Sequence, residues 1–421
     1  MGRRRRTTTV AAVTAVGGLL LTGGLTYAGA RTLWNSTEWS DAGSGATELF
    51  FPDTPTALLA GFDDDGALAS LSVVVVQPDG AGATVVPVPV SADATAGEGE
   101  ERLPIAETVA LQGTDAVARE VEITLGLSLD AVEVADADRL AELLAPVGEV
   151  DVELPEDVTD ADGDVVAEAG AGRFDASELA AILTARDPDQ PAAEQFGAAA
   201  AVWDGVSAAV GDGVTEPTAE QDAAAPDGID ATMTAAMAGP VRSWTVRWRP
   251  IEPERNPRRV DNVLLDRPEL AVLFGQIAPG RVSAPNPSIA VRLVVPFSDE
   301  QLGDRGWTNA DVAYRAASQV LFLRGNVISV DTTADEAPAT TRVEVIQPGI
   351  STAGAEAVFG ELDVVEADER IVGVDAVLHL GETYLEFLDA ADAAEDGTVE
   401  SIPAAGADVD PVSSVPATTN D

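Results

Sequence analysis

Between Thr56 and Val210 short β-branched runs alternate with longer stretches of helical spacing, and few architectures accept that order. Residues 56–61, 71–76 and 84–90 read as apolar strands separated by the turns Asp63-Asp64-Asp65-Gly66 and 77–82. In 106–125, Val109, Val117, Val121 and Leu125 recur at fours and eights, which predicts one helix. A strand at 131–134, a helix at 137–144 stopped near Pro146 and Gly148, and a strand at 150–154 follow. Helices at 177–184 and 192–210 complete the pattern. Strands alternating with helices predict an α/β layered domain around a central sheet.

Beyond an acidic loop at 211–228 the spacing predicts a short helix at 231–237, an alternating strand at 241–248 and a helix at 268–276. Pro279, Gly280, Pro285 and Pro287 then mark a boundary. A second, smaller α/β unit over 288–388 reads β-α-β-β-α-β: strands at 289–295, 327–330, 342–346 and 376–380, with helices at 309–323 and 351–362. From 389 to 421 there is no aromatic residue, and the composition is that of a disordered acidic tail.

At the other end, Arg3 to Arg6 precede a run from Val10 to Ala30 without a charge. A helix of that length spans roughly 30 Å, the hydrocarbon thickness of a bilayer. The basic block predicts a cytoplasmic tail at 1–9, a signal anchor at 10–30, a stalk at 31–52 and an extracytoplasmic body. Cleavage near Ala30 is the competing reading, because Ala28-Gly29-Ala30 is a small-x-small site; the length of the run favours retention. The whole chain carries a formal charge of −48, which excludes most nucleic-acid partners. There is no Cys and no Lys, so thiol chemistry, lysine P-loops and Schiff bases are excluded as well.

Few residues invite chemistry. Asp63 to Asp65 read as a solvated turn, and Asp160, Asp162 and Asp164 lack the bidentate Glu of a calcium loop. His379 is the only histidine and sits in an apolar strand with no partners for catalysis. One basic island stands out: Arg242, Arg247, Arg249, Arg255, Arg258 and Arg259, interleaved with Trp244 and Trp248. Period-2 alternation places Trp244, Val246 and Trp248 on one face and Arg247 and Arg249 on the other. Arg forks suit phosphates and carboxylates, and Trp faces suit sugars. Arg242, Trp244, Arg247, Trp248 and Arg249 are therefore the candidate ligand-binding residues, against the plainer reading of an edge strand with core Trp and ion-paired Arg.

In order and spacing these pieces resemble the LytR-CpsA-Psr family, over roughly residues 53–280. Thr56-Ala57-Leu58-Leu59-Ala60-Gly61 resembles the family's first strand, residues 71–78 its second, and residues 85–91 its "SIPRD" strand. Val121-Glu122-Ile123-Thr124-Leu125-Gly126-Leu127 and Val147-Gly148-Glu149-Val150-Asp151-Val152 resemble its "VE..LGI" and "LGGV.V" segments. Residues 289–388 resemble the LytR C-terminal domain, through 313–323, Val343-Glu344-Val345 and Val377-Leu378-His379-Leu380-Gly381. The resemblance implies a membrane-anchored envelope protein of a kind that transfers glycopolymers from a polyprenyl pyrophosphate carrier to peptidoglycan.

The departures fall where that chemistry belongs. The family's Arg-Asp after the "IP" strand grips pyrophosphate and its Mg²⁺, whereas here the strand ends Val88-Pro89-Val90-Ser91. Ala69 stands near the position of the Asp that opens the second strand. Of the late Arg cluster Arg186 remains, followed by Asp187 and Asp189, with Glu194 and Gln195 where Arg residues are usual. Loss of those cations weakens binding of a doubly charged transition state. The expectation is a non-catalytic binding or scaffold protein of wall-glycopolymer assembly, without cofactor. Its partners would be a polyprenyl-linked or anionic glycopolymer, the membrane through the anchor, and an envelope protein, with no nucleic acid. The alternative is a magnesium-dependent phosphotransferase using Arg186 with Asp187 or Asp189. A filler with no ligand predicts a closed interior; a lipid carrier would require an apolar tunnel between sheet and helices.

Overall fold

The computed structural model describes residues 46–47, 51–94, 102–215, 228–283, 288–333, 336–352 and 354–395. The basic block, the run at 10–30, most of the stalk and the chain beyond 395 lie outside the described residues. Among the described residues no helix is long and apolar enough to cross a membrane.

The first unit begins with β1 (Thr56–Phe62), β2 (Leu68–Val76), β3 (Ala83–Val88), α1 (Ile105–Gln112), α2 (Ala116–Leu125), β4 (Ala131–Ala135) and α3 (Ala137–Leu144). It continues with β5 (Val150–Leu154), β6 (Gly170–Phe174), α4 (Ala176–Thr184), α5 (Ala192–Val210), α6 (Ile229–Ala236) and β7 (Val241–Ser243). β8 (Trp248–Pro250), β9 (Val263–Leu265) and α7 (Arg267–Ile277) complete it. The central sheet has the order β7-β3-β2-β1-β4. Its inner pairs β1–β2 and β2–β3 are antiparallel, and β4 and β7 join parallel at the edges.

Every residue of β1 is buried, as expected of a strand covered on both faces. Ala57, Leu59, Val74 and Val85 pack with residues of α3, α4, α5 and α6. Leu58, Val73, Val75 and Val86 face the other way, toward α1, α2 and α7. The result is a helix–sheet–helix sandwich. Helix starts follow local capping: the Asp136 carboxylate accepts from the Arg139 N–H at 2.9 Å, and Asp175 and Glu178 form a capping box on α4. α5 lies close on β5 because Gly205 has no Cβ; one placed there would sit 2.8 Å from the Asp151 carbonyl oxygen.

The segment expected as one helix over 106–125 is two, and Gly113 is the reason. Its φ of +91° closes α1 in a conformation that favours glycine, with its N–H on the Val109 carbonyl at 2.8 Å. The strand expected over 241–248 is also divided: only Val241–Ser243 joins the main sheet, and Trp248–Pro250 pairs instead with Val263–Leu265. The two acidic turns use their carboxylates locally. Asp63 Oδ1 accepts the N–H groups of Asp65 and Ala67, and Asp160 Oδ1 those of Asp162 and Asp164. Among the described residues no group of acidic or His side chains is arranged to hold a metal ion.

The second unit comprises β10 (Ile289–Val294), α8 (Asn309–Phe322), β11 (Gly325–Asp331), β12 (Thr341–Val345), α9 (Ala355–Phe359), β13 (Leu362–Glu366), β14 (Ala376–His379) and α10 (Glu382–Glu395). The sheet order is β11-β10-β14-β12-β13. Two elements differ from expectation. The helix expected over 351–362 is only α9, and β13 is an added edge strand. The chain past Asp389, expected as tail, continues α10 to Glu395. That helix is fixed by Tyr384, which is fully buried with its hydroxyl on Gln319 Oε1 at 2.6 Å, and by the ion pairs Arg305–Asp389 and Arg315–Asp392. α7 joins the units: Leu270, Leu273 and Phe274 enter the first core, while Val272 packs into the second.

His379, on β14, lies 3.6 Å from Glu344, beyond hydrogen-bond length. Burial lowers its pKa below the ordinary imidazole range; Glu344 opposes this, and Arg342 and Arg292 add to it. The unfolded chain therefore takes up a proton near pH 6.5 that the folded chain refuses, so stability falls as pH drops below that value. Urea titrations at pH 7.5 and 5.5 are expected to show a smaller pH loss in His379→Gln than in the parent; an identical loss would contradict it.

Candidate functional site

Leu71 lies opposite Val88 in the β2–β3 ladder, so the start of β2 and the chain leaving β3 share one end of the sheet. α4 and α5 cover that end, which is where the resemblance places the pyrophosphate. Ala69, Ser70, Val88, Val90, Gln195 and Phe196 are among the residues enclosing a cavity of only about 20 Å³. That is room for about one water.

Burial first, and then the neighbouring Glu194, raise the Glu156 carboxyl above its usual range, while Gln190 opposes the shift. Gln195 closes the preceding loop, donating from Nε2 to the carbonyls of Asp187 and Gln190 at 2.7 and 2.8 Å. Asp187 accepts from the Thr159 hydroxyl at 2.9 Å and from the Asp189 N–H at 2.8 Å. Arg186 is half-buried and makes no ion pair among the described residues, and Asp189 is exposed. The three candidates are neighbours in the chain, but Asp187 serves the loop and the other two do not converge with it.

A second place was not found by reading the chain. After β3, Ala92 bridges to Val263 and Asp93 to Pro104, which folds the segment back against β9. Arg102 Nη1 meets Asp93 Oδ2 at 2.6 Å, with the two side chains 4 % and 3 % exposed. This pair borders a cavity of about 280 Å³ that is also lined by Thr124, Arg255, Leu265 and Arg267. Among the described residues the buried Thr124 hydroxyl has no hydrogen-bond partner, and neither have the Ser91 hydroxyl, two residues before Asp93, and the Asn262 amide, next to Val263. Among the described residues, Arg102, Arg255 and Arg267 bring three guanidinium groups to this cavity beside the Asp93 carboxylate. The only signal in the sequence was an Asp two residues past the strand and an Arg before Pro104.

The basic island divides. Trp248 packs against the first core and Arg249 is exposed away from its neighbours. The Trp244–Trp248 face expected from alternation does not form, because residues 244–247 leave the sheet. Trp244 is 45 % exposed and donates from Nε1 to Glu269 Oε1 at 3.1 Å. Arg247 pairs with the other oxygen of Glu269 at 3.0 Å and stacks over the Tyr314 ring at 4.6 Å. The Tyr314 hydroxyl donates to Asp266 at 3.0 Å, and burial first, then this bond, keep the phenol protonated above its ordinary pKa. Arg242, Trp244 and Arg247 thus line a groove of about 700 Å³ between α7 and α8, together with Trp307 and Arg315.

Solved structures of LytR-CpsA-Psr proteins resemble this chain. Bacillus subtilis TagV is 14 % identical over 52 % of this chain and 94 % of its own, with a TM-score of 0.37. TagT of the same organism, solved with bound octaprenyl pyrophosphate lipid, is 18 % identical over 55 % of this chain and 93 % of its own, TM-score 0.34. The LytR-Csp2A-Psr enzyme from Actinomyces oris is 17 % identical over 54 % and 94 %, TM-score 0.35. No family model matches the sequence, and no curated protein does.

Between sheet and helices, where a lipid tunnel would run, Leu58, Val73, Val86 and Val121 are 0 % exposed. A channel wide enough for water would leave surface on them, so no channel passes beside these residues. Magnesium does not fit either. Ala69 supplies no carboxylate, Asp187 is engaged by Thr159 and Asp189, and Arg102 occupies Asp93 Oδ2. A hard cation needs oxygen ligands at these positions.

Proposed function

We propose that this chain is an extracytoplasmic, membrane-anchored protein of cell-envelope glycopolymer assembly that binds or scaffolds and does not catalyse transfer. One observation carries the reading: the sheet end that the family resemblance assigns to pyrophosphate encloses only about 20 Å³ and has an Ala where the resemblance expects the opening Asp. An anion finds there neither room nor the preorganised positive charge that stabilises a phosphoryl-transfer transition state. The anchor at 10–30 and the stalk are part of the proposal and rest on the sequence.

The full burial of Leu58, Val73 and Val86 leaves no channel beside them, which favours the glycan half of a polyprenyl-linked substrate over its lipid half. The full chain extracted from its own membrane in mild detergent is expected to release no polyprenyl lipid on denaturation, read by mass spectrometry. About one polyprenyl phosphate or pyrophosphate per chain would contradict it.

A further inference from the structure

We infer that the groove between α7 and α8 is a glycan site, and that its ligand is an oligosaccharide carrying phosphodiester or carboxylate charges. The inference rests on the binding role proposed above and names the surface that performs it.

Neither unit holds this groove alone. The first unit contributes Arg242, Trp244 and Arg247, and the second contributes Trp307, Tyr314 and Arg315. The volume of about 700 Å³ lies within the range of sites for small organic ligands, about 300–1,000 Å³. Two of the three Arg are committed. Arg247 stacks on Tyr314 and pairs with Glu269, and Arg315 lies 5.0 Å over the Trp307 ring while paired to Asp392. These contacts fix the walls. Two groups are left for a ligand: Arg242, which is exposed and makes no ion pair among the described residues, and Trp244, whose indole is held in place from its nitrogen by Glu269.

That combination selects a class of ligand. An indole tethered through its N–H keeps its apolar face for a sugar ring, at little cost in side-chain freedom. A guanidinium beside it reads a planar or tetrahedral anion through paired N–H donors. An anion-only site would have no use for an exposed Trp, and an apolar ligand no use for an unpaired Arg. In a chain of net charge −48, Arg247 is matched by Glu269 and Asp266 and Arg315 by Asp392, which leaves Arg242 as the groove's cation without an acidic partner among the described residues. The Asp311 carboxylate is held ionised by hydrogen bonds from the Thr308 side chain and backbone, which keep it below the usual range. Its charge is therefore engaged at the start of α8.

The test uses the full chain in detergent micelles, titrated calorimetrically with three probes. These are a phosphodiester-linked hexosamine oligosaccharide, the same oligosaccharide without phosphate, and inorganic polyphosphate of equal charge. The charged oligosaccharide is expected to bind at least about tenfold more tightly than either of the others. Trp244→Ala and Arg242→Gln are each expected to weaken it about tenfold or more, as anchor residues do, with unchanged melting in Arg242→Gln, whose side chain is exposed and unpaired among the described residues, and a small drop in Trp244→Ala, which loses the bond to Glu269. Arg249→Gln, outside the groove, is expected to leave the Kd within twofold. Equal binding of polyphosphate with no effect of Trp244→Ala would mean charge attraction alone and overturn the inference, as would a Kd unmoved by both groove variants. Catalytic turnover by the intact chain would sink the non-catalytic reading while leaving the groove result standing, so the two failures are told apart.

Discussion

Replacing Arg102 by Ala is expected to destabilise the first unit by about 3–5 kcal/mol, the usual cost of stripping one partner from a buried ion pair. The Asp93 and Arg102 side chains are 3 % and 4 % exposed and meet at 2.6 Å. Without the guanidinium, the buried Asp93 carboxylate loses the partner that meets it at 2.6 Å, and its desolvation is less fully offset. Against a total stability of about 5–15 kcal/mol for a typical domain, that loss is visible directly as a shifted urea midpoint. The double variant Asp93→Leu with Arg102→Met is expected to recover most of it, because an apolar pair of similar volume carries no desolvation cost. A loss below about 1 kcal/mol in Arg102→Ala would mean that water reaches the pair. A double variant as unstable as the single would mean that the pocket's other groups depend on the pair.

That pair also marks the limit of what the sequence made legible. β1, β2 and β3 were readable because they are buried on both faces, and only unbroken apolar, β-branched runs satisfy that. α3 and α5 were readable from spacing, since each shows a periodic apolar face over a defined length. The misses have a common cause: each depends on a residue distant in the chain. β8 finds β9 across a Pro-rich segment with no turn signature, which takes Trp248 away from Trp244. α10 extends past Asp389 because Arg305 and Arg315, some eighty residues earlier, neutralise two of its acids. Asp93 meets Arg102 only because the backbone closes through the Asp93–Pro104 bridge. Gly113 is the exception, a local signal of positive φ read as a tolerated residue within one helix.

For the candidate site the division is similar. The substitutions at the sheet end were legible residue by residue, and the cavity of about 20 Å³ is their volumetric counterpart. The basic island was legible as a composition, but its geometry was not. Alternation assumed a continuous strand, whereas Glu269 on α7 draws Trp244 and Arg247 out to the boundary with the second unit. No feature of residues 241–259 announces Trp307, Tyr314 or Arg315 as the opposite wall.

The central claim is that this fold binds in the envelope without performing the transfer, and one assay addresses it. The full chain in micelles is incubated with Mg²⁺, a polyprenyl-pyrophosphate-linked oligosaccharide and peptidoglycan, and transferred oligosaccharide is counted. Working enzymes commonly turn over at about 1–10³ s⁻¹; here the expected rate is indistinguishable from a protein-free control, with Arg186→Ala giving the same trace. Magnesium-dependent product formation that is lost in Arg186→Ala would contradict the claim and restore the phosphotransferase.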